Sequence, residues 1–265
     1  MNWGEIKSRL KATWEAGDFG EIAKYNLAAA EEFMARLPLR RGMTVLDVAC
    51  GTGTLALIAA RRGCVATGVD IARNLIAQAR ERAANEGLAI EFLEGDAEAL
   101  PMPDRSVDAV LSRHGAMFAP RPEWVAAELY RVTKPGGFVA MANWTPEGLI
   151  GRMFEIFKAH LPPSGLPSAM LWGSEPIVRE RLRAFASIMM TRRMARQRFP
   201  FSPAGTVDYF RRFYGPTIRA FEALTPEGRE ALYGDLVELQ TRHNVTTLSE
   251  ATETNAEYLE VIALR

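Results

Sequence analysis

An α/β fold, a mostly parallel sheet with helices on both faces, is predicted by three features of the chain. From Thr44 to Trp144 short apolar runs alternate with helical patterns, the texture of parallel strands joined by crossover helices. A glycine-rich turn separates the first run from the first of these helices, and three of the runs carry an acid at their carboxyl ends. The 265 residues are 48% hydrophobic, with 13 Phe, 11 Met and 5 Trp, enough apolar surface to offset chain entropy around one large core.

Taken in order, the first 40 residues read as helices. Ile6, Leu10 and Trp14 recur every four residues, and a second stretch runs from Tyr25, Leu27 and Ala28 to Phe33 and Leu37, with Gly17, Asp18 and Gly20 as the break between them. Five strands follow at 45–49, 65–70, 90–96, 107–113 and 137–144, with helices at 54–62, 73–86 and 122–132. Gly87 suits a left-handed helix C-cap, and Lys134-Pro135-Gly136-Gly137 reads as a tight turn into the fifth strand. After Trp144 the alternation stops. Pro146, Pro162, Pro163, Pro167 and Pro176 punctuate a helical, aromatic-rich region that reads as an inserted cap, with extended segments at 187–199 and 258–264. The division expected is a helical cover over 1–40, a ligand-binding core over 41–145, a cap over 146–256 and a last core strand over 257–265.

Composition excludes several classes. The longest apolar run, Leu55 to Ala60, is far short of the ~18 to 20 residues of a membrane span. The N-terminus mixes acids and bases with no apolar segment of the secretion-signal kind, so a cytosolic protein is expected. Cys50 and Cys64 are the only cysteines, too few for a disulfide framework and without the paired spacing of a zinc site. The 32 Lys and Arg balance 32 Asp and Glu, which disfavours an electrostatic grip on nucleic acid. Arg179 to Arg212 holds nine Arg and two acids, whereas Phe213 to Arg265 holds four Arg and nine acids, so the two stretches are candidates to face one another.

The chemistry concentrates in VLDVACGTGTLA, Val45 to Ala56. Gly51, Gly53 and Ala56 satisfy G-x-G-x-x-G/A, in which glycines let the backbone turn sharply and approach a ligand. Asp70 ends the second strand, placed to take ribose hydroxyls on both carboxylate oxygens. Asp47, at the end of the first strand, argues about which nucleoside: like charges at ~4 Å cost about 4 kcal/mol at an effective dielectric of 20, so a dinucleotide's pyrophosphate is disfavoured beside it. S-adenosylmethionine, with an ammonium and a sulfonium and no phosphate, is favoured instead. Asp96 ends the third strand, where it would accept from the adenine amino group, and Ile71 and Ala97 would plate the adenine faces. Each acid alone is equally suited to capping a helix; three of them ending three consecutive strands point to the crevice where open sheets bind ligands.

Together VLDVACGTG, GVDIARNLIAQAR, EGDAEALPMPDRSVDAVLS and LYRVTKPGGFVAMANW resemble the successive motifs of class I S-adenosylmethionine-dependent methyltransferases, nearest to the small-molecule and quinone-biosynthesis branch. The resemblance covers roughly Met43 to Trp144. It implies a Rossmann-like seven-stranded sheet ending in an antiparallel hairpin, and donor contacts at Asp47, Ala49, Gly51, Gly53, Asp70, Ile71, Asp96, Ala97 and Arg113, with Cys50 inside the same loop. It also implies an N-terminal helix folded over the donor, for which Tyr25 and Trp14 are candidates, core packing being the alternative.

Methyl transfer is an in-line displacement whose leaving group is already activated, so the protein mainly aligns and desolvates, adding a base only where the nucleophile holds a proton. His114, just past the fourth strand, is the candidate base, against a role in shaping the pocket. Ser112-Arg113-His114-Gly115-Ala116-Met117-Phe118 stands where enzymes acting on base or glutamine amino groups carry an Asn/Asp-Pro-Pro-aromatic loop, which disfavours that class. The expected activity is methyl transfer to a small organic acceptor, leaving S-adenosylhomocysteine. The alternatives are an NAD(P)-dependent oxidoreductase, a donor-binding module without catalysis, or an RNA methyltransferase suggested by the arginines of 192–198.

Overall fold

The computed structural model describes residues 2–265 and shows a single seven-stranded sheet flanked by helices. The N-terminal segment forms α1 (Trp3–Glu15), α2 (Phe19–Ala23) and α3 (Leu27–Ala35). The Gly17–Gly20 break falls where expected, and Asp18 caps α2 by accepting the Gly20 N–H at 2.9 Å. The second helix read from the sequence is itself interrupted by a 3-10 turn at Lys24–Asn26 and ends at Ala35. Asn26 sits outside the helical region at φ −111° and accepts a hydrogen bond from the distant Gln197 side chain, a tertiary demand that local periodicity does not show.

Alternation then produces β1 (Thr44–Val48), α4 (Thr54–Arg61), β2 (Val65–Asp70), α5 (Arg73–Asn85), β3 (Glu91–Glu94), β4 (Val107–Arg113), α6 (Pro122–Val132) and β5 (Thr133–Trp144). The cap contributes α7 (Leu149–His160), α8 (Glu175–Arg181), β6 (Ser187–Phe199), α9 (Pro203–Phe213), α10 (Gly215–Glu222), α11 (Pro226–His243) and β7 (Thr252–Leu264). The strand order is β3-β2-β1-β4-β5-β7-β6, with β1 to β5 parallel and β7 antiparallel to both its neighbours. Right-handed crossovers put α4 and α5 on one face and α6 on the other, because the order reverses between β1 and β4. Leu46, Val110, Leu111, Val139 and Met141 fill the middle of the sheet with almost no exposure, and complete burial of such a side chain contributes roughly 1.5–3 kcal/mol.

Three expectations are corrected. Lys134–Gly137 is not a separate turn: β5 starts at Thr133 and carries a register irregularity opposite Val107/Ala109, with Gly136 at φ 80° donating its N–H to the Arg265 carbonyl. β3 is shorter than 90–96 because the backbone turns at Gly95, whose N–H donates to the Asp70 carbonyl at 2.9 Å, and Asp96 lies in the loop beyond. The last strand begins at Thr252 rather than 258, since its polar first half pairs residue for residue with β6 and shows no apolar signal. Those pairs bring the basic and acidic stretches together: Arg192 with Glu257, Arg193 with Glu260, and Arg196 and Arg198 with Glu253.

Candidate functional site

The strand order reverses beside β1, and a crevice opens there at the carboxyl ends of β1 to β4. Its floor is the loop after β1. Gly51 at φ 55° takes a left-handed conformation that a side chain would resist, and its N–H donates to Asp70 Oδ2 at 2.8 Å. Arg82 of α5 braces the loop from behind, donating to the Thr52 carbonyl at 2.7 Å. Ala49 and His114, neither of them glycine, are also left-handed, at φ 53° and 58°. The turns that hold them touch at Gly115, where an added Cβ would stand 2.4 Å from the Ala49 carbonyl oxygen. Two strained residues at the mouths of adjacent strands are the kind of arrangement that functional sites retain.

Asp47, Ala49, Cys50, Gly51, Asp70, Ile71, Asp96, Ala97, Arg113 and His114 all line the crevice. Asp47 is buried and accepts the Ala56 N–H at 3.1 Å, capping α4 from inside the sheet. Burial, reinforced by neighbouring Asp70, pushes its carboxyl up to about 8 against the opposing bonds from the Ala56 and Leu55 amides. Asp70 is likewise raised by burial; its two oxygens accept from Gly51 and Ala72, so each keeps only part of its capacity for a ligand hydroxyl. Burial also pushes the Cys50 thiol up, which makes it an inert wall of the loop. Asp96 caps its own turn through the Glu98 N–H and pairs with Lys7 of α1.

The last two strand-end residues differ from the acids. Arg113 Nε and Nη2 and both ring nitrogens of His114 are shielded from solvent without a hydrogen-bond partner. The His114 ring lies flat on Trp144, centroids 3.5 Å apart and planes 3° apart. Burial, and then the charge of Arg113, hold its pKa well below the usual histidine range, so it is neutral at neutral pH.

Two expected contacts are not in the crevice. Tyr25, in the 3-10 turn at 24–26, packs instead into an aromatic group, 4.8 Å from Phe199 and 5.6 Å from Tyr209. Gly53 lies behind the loop, where a Cβ would stand 2.6 Å from the Phe92 ring, so its role is to let the helix close on the sheet. Trp14 does line the crevice, in edge contact with Phe118 at 5.1 Å and Phe19 and Tyr214 at 6.0 Å. Lys7, Gln197 and Tyr214 line it as well. Their signals were weak: a lysine at helical spacing, a polar residue among arginines, and a tyrosine in an aromatic helix.

The arrangement tests which nucleoside fits. In dinucleotide-binding sheets the pyrophosphate takes the amides that open the helix after the glycine loop. Here the Asp47 carboxyl already accepts from that helix, so a diphosphate would meet an acid in its place, whereas an ammonium would gain a counter-ion. A family model described as a methyltransferase domain matches residues 46–141. An uncharacterised protein of Mycobacterium tuberculosis is 39% identical over 233 residues, 85% of each chain. A demethylmenaquinone methyltransferase of Thermus thermophilus is 34% identical over 165 residues, 61% of this chain and 73% of that one. A solved structure of a putative methyltransferase from Bacillus halodurans superposes with a TM-score of 0.60 at 19% identity, covering 89% of this chain and 98% of that one.

Proposed function

The chain belongs to the class I S-adenosylmethionine-dependent methyltransferases, and on that premise we propose that its methyl acceptor is a small organic molecule, held in the half of the crevice beyond Gly115. The donor is S-adenosylmethionine, whose sulfonium supplies a methyl group on an already activated leaving group. Asp70 would hold the ribose hydroxyls on its remaining lone pairs, Asp47 the ammonium, and Asp96 with Ile71 and Ala97 the adenine. Residues 41–145 on this reading carry the donor, 1–40 cover it, and 146–256 close over the acceptor. The nicotinamide alternative would bring its diphosphate against the Asp47 carboxyl, which already takes the Ala56 amide.

One observation supports the small acceptor above the others: beyond Gly115 the crevice is walled by apolar and aromatic side chains, among them Phe118, Trp144, Ile150 and Met153, and contains no acid. His114 would accept the proton of the acceptor's nucleophile. Being neutral, it can do so without first losing a proton of its own, and stacking on Trp144 holds its ring in place. The aromatic roof excludes water from the transfer. Free Cys50 and Cys64 accord with a cytosolic site of action. A demethylmenaquinone methyltransferase among the relatives makes quinone-like and aromatic compounds the first acceptors to try.

The test is S-adenosylhomocysteine formation across a panel of small aromatic and isoprenoid acceptors, beside carrier-protein and RNA substrates. Turnover with a small compound is the expected result, and turnover restricted to a macromolecule overturns the reading. With that acceptor, His114→Gln should lower kcat by about 10² or more while leaving S-adenosylhomocysteine affinity within a few-fold. Because the His114 pKa is held low, kcat at saturating donor should show no acidic limb near pH 6.5.

A further inference from the structure

The crevice is electrostatically divided. Its acids are Asp47, Asp70 and Asp96, all at the ends of β1 to β3, where the donor reading needs them. One guanidinium lines it as well, that of Arg113 at the end of β4, whose backbone pairs in register with Ala142 of β5. Arg113 forms no ion pair among the described residues, and two of its three nitrogens are shielded with nothing to donate to. Arg36 is satisfied by Glu260 and Tyr258, Arg82 by Thr52 and Arg121 by Glu98, while Arg181, which lies outside the crevice, has one shielded nitrogen unmet.

Burial lowers Arg113 to about 10, so it stays a cation at neutral pH, and the titratable group beside it is the Tyr258 hydroxyl of β7, itself raised by burial and uncharged at neutral pH. A buried cation without a counter-ion is costly to keep, and removal of that cost is available to any anion that enters. The planar fork of a guanidinium is matched by a carboxylate through two parallel bonds. Next to it, His114 has a ring N–H and a ring nitrogen that are both unmet. The surroundings of this pair are Phe118, Trp144, Ile150 and Met153.

From this juxtaposition we propose that the methyl acceptor carries a carboxylate, which Arg113 binds, on an apolar body that packs among Trp144, Ile150 and Met153. The proposal rests on the small-acceptor reading above and narrows it to organic acids. A carboxylate is also present on the donor's own amino-acid tail. Arg113 makes no ion pair with Asp47, Asp70 or Asp96, and its register partner is Ala142 of β5, which assigns it to the acceptor and not to the donor contact that the family resemblance implies.

Calorimetric titration of the S-adenosylhomocysteine-loaded chain with benzoate and octanoate, each against its amide, tests this. The wild-type chain should bind at least one acid about tenfold or more tighter than its amide. Arg113→Met should abolish that preference and Arg113→Lys should keep part of it, both retaining S-adenosylhomocysteine affinity within about threefold, which also certifies their folding. Equal binding of acids and amides overturns the proposal and leaves a small neutral acceptor standing. A tenfold loss of S-adenosylhomocysteine affinity in both variants, with the acid preference unchanged, overturns it in favour of the donor's carboxylate. Failure of every acid and amide to bind also overturns it, while the small-acceptor reading stands or falls on the turnover panel.

Discussion

Asp47 caps α4 from within the crevice, yet its carboxyl is raised to about 8 from 3.8, so below pH 8 it is mainly protonated unless a cation stands beside it. The sign for stability follows from that shift. A raised acid favours the fold at low pH, and this contribution is lost as pH climbs from about 4 towards 8. An ammonium placed beside it favours the ionised form. Donor binding should therefore release a proton at pH 7, visible as a dependence of the calorimetric enthalpy on buffer ionisation. S-adenosylhomocysteine affinity should tighten by up to about tenfold per pH unit between 6 and 7.5. Asp47→Asn should flatten both dependences, and an unchanged pH profile in that variant would remove Asp47 from the donor site. Asp47 was legible in the sequence as a strand-end acid suited to a ligand or to a helix cap; that it would be buried and bonded to the Ala56 amide was not, because folding brings that helix over it.

Helix α1 forms part of the roof, and its attachment is electrostatic on one edge and aromatic on the other. Lys7 pairs with Asp96 and, at 2.7 Å, with Glu98; Lys11 pairs with Glu94; Glu15 accepts the Arg73 N–H at 3.0 Å. Trp14 and the Asp18 N–H, bonded to the Phe213 carbonyl at 3.0 Å, tie the other side to α9 and α10. Lys7→Ala should leave the fold intact, since Glu98 is still held by Arg121 through its backbone and its guanidinium. It should loosen the roof, raising amide exchange over residues 3–15 and the release rate of S-adenosylhomocysteine several-fold, an effect of about 1 kcal/mol. Exchange identical to wild type would mean the aromatic edge alone holds α1. The helix itself was evident from the spacing of Ile6, Leu10 and Trp14, but its seat depends on acids some ninety residues later and on β3 ending where it does.

For the molecule as a whole, the decisive strand is β7, threaded between β5 and β6 and antiparallel to both. Glu260 lies nearly buried on it and accepts from Arg36, the C-cap of α3, at 2.6 Å and from Arg193 of β6 at 2.8 Å, so one carboxylate joins the N-terminal helices, the cap strand and the chain's last strand. Glu260→Ala should lower stability by about 2 kcal/mol, because two partly exposed guanidiniums lose their acceptor, and the urea midpoint of the folded chain measures it. A loss below 0.5 kcal/mol would show that solvent replaces the carboxylate there. The opposed arginine-rich and acid-rich stretches announced this pairing in composition, and the strand register realises it.

What the sequence determined by itself is the core from β1 to β5, because parallel strands buried on both faces and their crossover helices write their pattern locally, and because the glycine loop with its three strand-end acids needs no distant partner to be recognised. Tertiary structure alone decided which aromatics face the crevice, that Tyr25 turns away while Trp14 turns in, that the polar half of β7 is a strand, and that Arg113 ends in the crevice with no counter-ion. Each of those depends on which surfaces meet after the cap folds back over the sheet. Contacts between segments far apart in the chain leave no periodicity in either one.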